Sequence, residues 1–356
     1  MIKYKVIGIM SGTSLDGLDI AYCEFVKNRK WKFKIVHAET IKYSKDWKTK
    51  LGEAIKLKKN NIDSLNIEYG NYIGKEVLKF INRKKISPDF ISSHGHTVFH
   101  QPEKGITLQI GDGKIISSIC KLQVVNDFRS GDVALGGQGA PLVPIVDKIL
   151  FSEYEFCLNL GGIANISFDN PKEERIAYDI CPVNLVLNDL ATLLGKEFDS
   201  EGRFASKGKL NESLLEKLNA LPFYKTKSPK SLGREWVENK FIPVLFTFNI
   251  PVQDKLRTAV EHIAIQITNA VNSPFTIRNS SLLVTGGGTY NKFLVERIAF
   301  HSKCKIIIPD DKTIQFKEAM AFAFLGTLKM RGEINILKSV TGAKRNSSGG
   351  RIYFPI

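Results

Sequence analysis

Ser11, Gly12, Thr13 and Ser14 make a turn of small and hydroxylated residues between two β-rich runs, 4–9 and 20–26, and the acids Asp16 and Asp19 follow three apart. Clustered N–H groups and hydroxyls in such a turn suit phosphate oxygens, and a nearby carboxylate suits the Mg²⁺ that travels with them. Gly12 and Gly17 lack a Cβ, so a ligand can approach the backbone there. The theme recurs twice. Gly161 and Gly162, followed by Asn165, interrupt the apolar run 156–168, and Gly286, Gly287 and Gly288 end the run from 281. Each alone is equally a hairpin with a polar turn. Three turns, each after a strand, point to phosphate and nucleotide binding.

The elements carrying these turns alternate along the chain. Strand-like runs at 4–9, 20–26 and 32–43 come first. A helical spacing of Leu65, Ile67, Tyr72, Ile73, Val77, Leu78 and Ile81 marks 62–83, and strands are expected at 90–99 and 123–128. Further on, 175–180 reads as a strand ending on Asp179, 183–194 as a helix, 291–300 as a helix after the triple glycine, and 317–330 as an apolar, alanine-rich helix. Three strands followed by alternating helices and strands predict a mixed sheet. The glycine- and proline-rich stretch 131–144 reads as a crossover between lobes. The polar tail, 338–356, is expected to pack loosely until its last few residues. This gives an α/β chain of two lobes: 1–133, completed by 335–356, and 134–334.

Composition narrows the partners. The chain of 356 residues has 51 Lys and Arg against 36 Asp and Glu, a formal charge of +15. The lysines are dispersed and not interleaved with aromatics, so no nucleic-acid module is read; a basic surface also speeds encounter with anionic small molecules. The five cysteines (23, 120, 157, 181, 304) show neither zinc spacing nor a disulfide framework, and no apolar run reaches membrane-spanning length. The expectation is a reduced, cytoplasmic protein with no membrane partner.

The stretch Ser11-Gly12-Thr13-Ser14-Leu15-Asp16-Gly17-Leu18-Asp19 resembles the signature of the anhydro-N-acetylmuramic acid kinases, sugar kinases of peptidoglycan recycling. Similar segments follow in order at 94–102, 109–113, 127–129, 136–142, 159–165, 229–231, 233–235, 285–288 and 318–323. The resemblance implies the two-lobed actin-like ATPase fold, a duplicated ribonuclease-H-like architecture with mixed sheets flanked by helices. It implies ATP and Mg²⁺, a sugar substrate and a homodimer. The implied reaction opens the 1,6-anhydro bond with water while O6 takes the γ-phosphoryl. That chemistry needs a carboxylate base and a phosphate cradle. By the resemblance Asp179 is the base. Gly12 to Asp19, together with Gly161, Gly162, Asn165 and Gly286 to Gly288, hold ATP, with Asp16 near Mg²⁺. His96, Thr97, Arg129, Asn184 and Glu318 hold the sugar. His94 and His96 fit equally as packed strand residues.

One loop departs from the family pattern. Where the family commonly reads Asp-Thr-Gly-Pro-Gly-Asn, this chain reads Asp179-Ile180-Cys181-Pro182-Val183-Asn184. Lost glycines would hinder close backbone approach to a ligand. Two rival readings therefore stand beside the first: a related kinase for another amino sugar, and a nucleotide-binding sensor without catalysis.

Overall fold

The computed structural model describes residues 2–12, 15–272 and 280–355. They form two compact units, Met1–Leu150 with Phe316–Ile356, and Phe151–Gln315. Residues 134–150 and 316–334, assigned above to the second lobe, thus group with the first unit.

In the first unit β1 (Ile2–Ser11), β2 (Gly17–Lys27) and β3 (Trp31–Lys42) run as an antiparallel meander. β4 (Phe90–Gln101) lies parallel to β1, with β5 (Ile106–Ile110) folded back antiparallel on it. β6 (Gln123–Asn126) then continues the parallel set. In the second unit β7 (Phe156–Leu160), β8 (Ile163–Asp169) and β9 (Arg175–Pro182) repeat the meander, and β10 (Ser281–Thr285) and β11 (Lys305–Ile307) repeat the parallel extension. The orders β3-β2-β1-β4-β6 and β9-β8-β7-β10-β11 are the same path. This is the duplicated ribonuclease-H-like sheet of the actin-like ATPases, as expected. The first strand of each meander ends where a glycine turn begins.

Local sequence explains the packing. Val6, Ile7 and Ile9 are wholly buried, so β1 is covered on both faces and reads as a continuous apolar run. A Cβ on Gly8 would lie 1.9 Å from the Ala319 carbonyl oxygen, which is why helix Asp311–Met330 presents Ala319 and Ala323 there. Helix Lys59–Lys84 buries Ile62, Leu65, Tyr69, Ile73, Val77 and Phe80 at 3–4 spacing against Ile7, Ile9, Leu18 and Ile20. Each such side chain stabilises the fold by about 2 kcal/mol. In the second unit Leu256, Val260, Ile263 and Ile267 of helix Val252–Val271 share a core with Leu158, Leu160 and Ile166 of the sheet.

Two expectations are corrected. The stretch 131–144 is no crossover: it begins in the short helix Ser130–Ala134, and buried Asp132 accepts hydrogen bonds from Gly139 N (2.8 Å) and Thr341 Oγ1 (2.8 Å) within the first unit. Nor is the tail loose. Buried Asn335 binds the Leu325 and Gly349 carbonyls and the Gly349 N–H, Ser347 bridges to Ile336, and Arg351–Tyr353 adds a strand antiparallel to β6. Polar composition misled here, because these polar groups satisfy one another internally. Among the described residues no helix is long and apolar enough to cross a membrane.

Candidate active site

The first unit holds the opening hairpin and most of the expected sugar ligands. Ser11 closes β1 opposite Leu18 and beside His96 of β4. Gly12 follows, its carbonyl accepting from Leu15 N, and Leu15 takes φ 59°. Thr13 and Ser14 lie outside the described residues. Asp16 is exposed at the turn, Leu18 is wholly buried in the core, and Asp19 is half-buried. Gly17 must be glycine for sheet contact, since a Cβ would sit 2.6 Å from the Ile41 carbonyl oxygen. Asp19 Oδ1 accepts from Thr40 Oγ1 at 2.5 Å. Burial pushes the Asp19 carboxyl up, Thr40 opposes this, and neighbouring Asp16 adds to it.

Around Arg129 a second cluster forms. Its Nη1 donates to the Gly139 carbonyl (2.6 Å), and its Nε and Nη2 meet His94 Nε2 at 3.2 and 2.9 Å. His94 Nδ1 faces the Gly95 carbonyl at 3.0 Å, so the ring is neutral, donating through Nδ1 and accepting through Nε2. Burial, helped by Arg129, holds His94 well below the usual histidine range. Burial also lowers Arg129 to about 10, with Glu318 opposing. Glu318 is open to solvent at its surface, yet protein crowding is the largest cause that raises its carboxyl; Asp19 adds to it, while Arg129 and Lys317 oppose. Glu318 is thus within electrostatic reach of both Asp19 and Arg129. Thr97, half-buried on β4, accepts from Gln109 Nε2 at 3.4 Å. His96 is not in this cluster. Its Nδ1 lies 3.1 Å from Ser11 Oγ, at the root of the hairpin.

In the second unit Asp179 stands on β9, where a register shift between Ala164 and Asn165 sets it opposite Asn165. Its Oδ2 accepts from Ser231 Oγ and Leu232 N, both at 2.9 Å, and its own N–H donates to the Lys230 carbonyl. Oδ1 takes no hydrogen bond from the described residues. Burial raises the carboxyl, and the bonds from Leu232 and Ser231 lower it. The result is a carboxylate with one oxygen fixed and the other available to a proton. Sequence reading missed Ser231 and Leu232 as its partners, although the segment 229–231 was among the resembling ones.

The departures beside Asp179 point into the core. Ile180, Cys181 and Val183 are buried among Leu160, Val186, Leu187 and their neighbours, and none takes a positive φ. Ile180 stands in the threonine position, and Cys181 and Val183 in the glycine positions; Cys181 lies on extended β9, Val183 caps the next helix at φ −127° and ψ −94°, and all three side chains pack beneath the site.

The two glycine turns of this unit interlock. Gly161 and Gly162 join β7 to β8, and their carbonyls accept from Asn184 N (3.2 Å) and from Val183 N and Leu185 N (2.8 and 3.2 Å). In a trans peptide the N–H points opposite to the carbonyl, so the Gly162 and Ile163 N–H groups point away from helix Asn184–Thr192. Asn165 is exposed on β8. Asn184 Nδ2 donates to the Leu160 carbonyl at 3.2 Å, and its Oδ1 lies 3.4 Å from where a Cβ on Gly288 would stand. Asn184 therefore braces one glycine turn against the other. Gly286 to Gly288 lead into a single 3₁₀ turn, Gly287–Tyr290, and the longer helix starts later, at Lys292, capped by Asn291. The helix thus starts within one residue of the expected 291, with one 3₁₀ turn between it and the triple glycine.

Among the described residues no group of three His, Cys, Asp or Glu could hold a metal ion. That still suits Mg²⁺ carried by a nucleotide, which needs only one or two protein carboxylates beside phosphate oxygens; Asp16 and Asp19 are of that kind.

The sequence pattern of the anhydro-N-acetylmuramic acid kinase family matches residues 4–355. The chain is 35% identical to the anhydro-N-acetylmuramic acid kinase of Photobacterium profundum over 376 aligned positions, covering 98% of each protein. It is 34% identical to that of Francisella tularensis subsp. novicida, covering 99% of this chain and all of the other. Among solved structures it is similar to the activator of the 2-hydroxyisocaproyl-CoA dehydratase from Clostridium difficile with bound ADPNP. There the identity is 14% and the TM-score 0.46, over 90% of this chain and 92% of the other.

Proposed function

This chain belongs to the anhydro-N-acetylmuramic acid kinase family, and on that premise we propose that it converts 1,6-anhydro-N-acetylmuramic acid, ATP and water into N-acetylmuramic acid 6-phosphate and ADP. The observation that carries the reading is the state of Asp179: Oδ2 held by Ser231 and Leu232, Oδ1 open, and the carboxyl raised by burial. Asp179 takes a proton from water as its oxygen bonds to C1 of the sugar. The C1–O6 bond breaks, and O6 takes the γ-phosphoryl. A base with a raised pKa is a better proton acceptor near neutrality than an ordinary carboxylate.

The other roles follow from chemistry and placement. Arg129, aimed by His94 and Gly139, binds the lactyl carboxylate or the acetamide oxygen, and Glu318 and Thr97 take sugar hydroxyls. The stretch Gly12 to Asp19, apart from core-buried Leu18, and the N–H side of the Gly161–Gly162 turn are assigned to phosphate oxygens, and Gly286 to Gly288 to the adenosine end. Asp16 meets Mg²⁺, directly or through water. Asn184 acts through the turns it braces. The family further supports a cytoplasmic homodimer working in cell-wall recycling and amino-sugar breakdown.

A coupled ADP-release assay with the anhydro sugar tests the reaction, and oxygen from labelled water at C1 of the product tests the hydrolytic half. Asp179→Asn is expected to lower kcat by ~10²–10⁴-fold, the usual share of a general base. Undiminished turnover by that variant would remove Asp179 from the mechanism.

A further inference from the structure

Four buried polar groups from four separate stretches of the chain meet at the root of the opening hairpin. Tyr69, on helix Lys59–Lys84, has its hydroxyl 2.6 Å from that of Tyr43, which lies just past β3; Tyr43 donates to Ser11 Oγ at 2.8 Å, and Ser11 Oγ lies 3.1 Å from His96 Nδ1. All four residues are at most 5% exposed. Hydrogen-bond direction along the chain is fixed from its middle. Tyr43 donates to Ser11 Oγ, so the Ser11 hydroxyl proton is left for His96 Nδ1; burial drives the imidazole down to about 4, so it is neutral near pH 7. Nε2 therefore carries the proton and Nδ1 accepts. Ser11 must donate to Nδ1 and accept from Tyr43, which leaves Tyr69 donating to Tyr43. Every group is satisfied in one direction only.

We propose that His96 is a positioning residue for the nucleotide and not a sugar ligand: through Ser11, oriented by Tyr43 and Tyr69, it sets the end of β1 from which the phosphate hairpin springs. Ser11 is the last residue of β1, paired to both Leu18 and His96, so its place decides where the Gly12 backbone begins. Buried polar groups left half-satisfied cost more than their absence, so a chain of this kind holds one geometry. The inference rests on the reading of the hairpin as the ATP-phosphate loop, and its test includes a readout that needs no ATP.

The two amide replacements of histidine separate its nitrogens. His96→Asn keeps an acceptor at the Nδ1 position, whereas His96→Gln keeps a donor near Nε2 and removes the acceptor. Tyr43→Phe removes the donor to Ser11. In steady-state kinetics His96→Gln and Tyr43→Phe are expected to raise KM for ATP by about ten-fold, the worth of one buried hydrogen bond, with KM for the anhydro sugar unchanged. His96→Asn restores the ATP value. In the apo protein, hydrogen exchange of the peptide spanning 8–20 is expected to quicken about ten-fold in His96→Gln and Tyr43→Phe and to stay native in His96→Asn. Equal behaviour of the Asn and Gln variants overturns the proposal, as does a rise confined to KM for the sugar. A wild-type protein that neither binds nor turns over ATP would instead remove the kinase reading, and the exchange result would still decide the role of His96 at the hairpin.

Discussion

Replacing Gly286 by alanine separates a glycine demanded by geometry from one that is merely present. Gly286 has φ 86° and ψ 166°, a region essentially closed to residues with a Cβ. A Cβ there would also lie 2.5 Å from Asn159 Oδ1 and 2.8 Å from the Leu160 carbonyl carbon and oxygen, and backbone cannot swing aside as a side-chain tip can. Backbone strain of this kind costs on the order of 1–3 kcal/mol, and the overlap raises the sum to about 3 kcal/mol or more. In a unit of this size 1 kcal/mol corresponds to roughly 2–4 °C in Tm, so Gly286→Ala should lower the melting of the second unit by about 6–12 °C. Part of the strain can be relieved by shifting the turn, which would weaken ATP binding instead.

Gly162→Ala is the matched control in the partner turn. Gly162 is exposed, has no positive φ, and the three atoms nearest its Cβ would all belong to the flexible Leu185 side chain, the nearest at 3.1 Å. Its Tm should stay within about 2 °C of wild type. Calorimetric melts and ATP titrations of both variants make the comparison. If Gly286→Ala matches wild type in both Tm and ATP affinity, the interlocked-turn geometry argued from Asn159, Leu160 and Asn184 is wrong.

Ser231→Ala removes a bond that favours the ionised form of Asp179, so its carboxyl should rise further and the acid limb of kcat/KM should move to higher pH; a limb that stays put or moves down would refute the pairing. A histidine supplies the stability test. His262 is wholly buried between Asn219 and Tyr224, and burial lowers it to about 3. Its folded pKa lies below the unfolded value of 6.5, so the unfolded chain binds the proton first, and stability falls as pH drops below 6.5 until the folded pKa is reached. Between pH 7 and 5 this loss amounts to about 2 kcal/mol, and it is insensitive to the folded value because pH 5 lies well above it. In urea titrations His262→Gln should weaken the pH dependence of the second unit by that amount; an unchanged slope would mean the imidazole is charged in the fold.

Much of this was legible in the sequence where the signal is local. The opening strands, the turn between them and the 3.6-residue period of the long helix each follow from neighbouring residues, and the helix observed at Lys59–Lys84 contains the expected 62–83. Glycine turns announced themselves because a strand followed by glycines is a short-range pattern. What was not legible is long-range satisfaction of polar groups. Asp179 is held by Ser231 and Leu232, 52 and 53 positions away, and no period or propensity connects them. His94 and His96 sit two residues apart on one strand, yet one aims Arg129 and the other anchors Ser11. The register of β4 against β1, with its shift between Ile9 and Ser11, brings His96 to the end of β1.

The same distinction decides how the departing loop should be weighed. Cys181 and Val183 lie where glycines are common in the family, and taken as sequence they throw doubt on the substrate. In the fold their side chains fill the core beneath β9, so the doubt belongs to packing and not to recognition. In the proposed reading sugar recognition rests instead on Arg129, and the placement of Arg129 depends on residues that looked unimportant. Its Nη1 is held by the Gly139 carbonyl; Gly139 N is held by Asp132, and the other oxygen of Asp132 is held by Thr341. Gly137 permits this arrangement, since a Cβ there would overlap Asp132 Oδ2 at 2.2 Å. A segment read as a crossover and a tail read as loose are thus the two supports of the guanidinium expected to select an acidic sugar. Substitutions at Asp132 or Thr341 should alter sugar affinity before those at Cys181 or Val183 do.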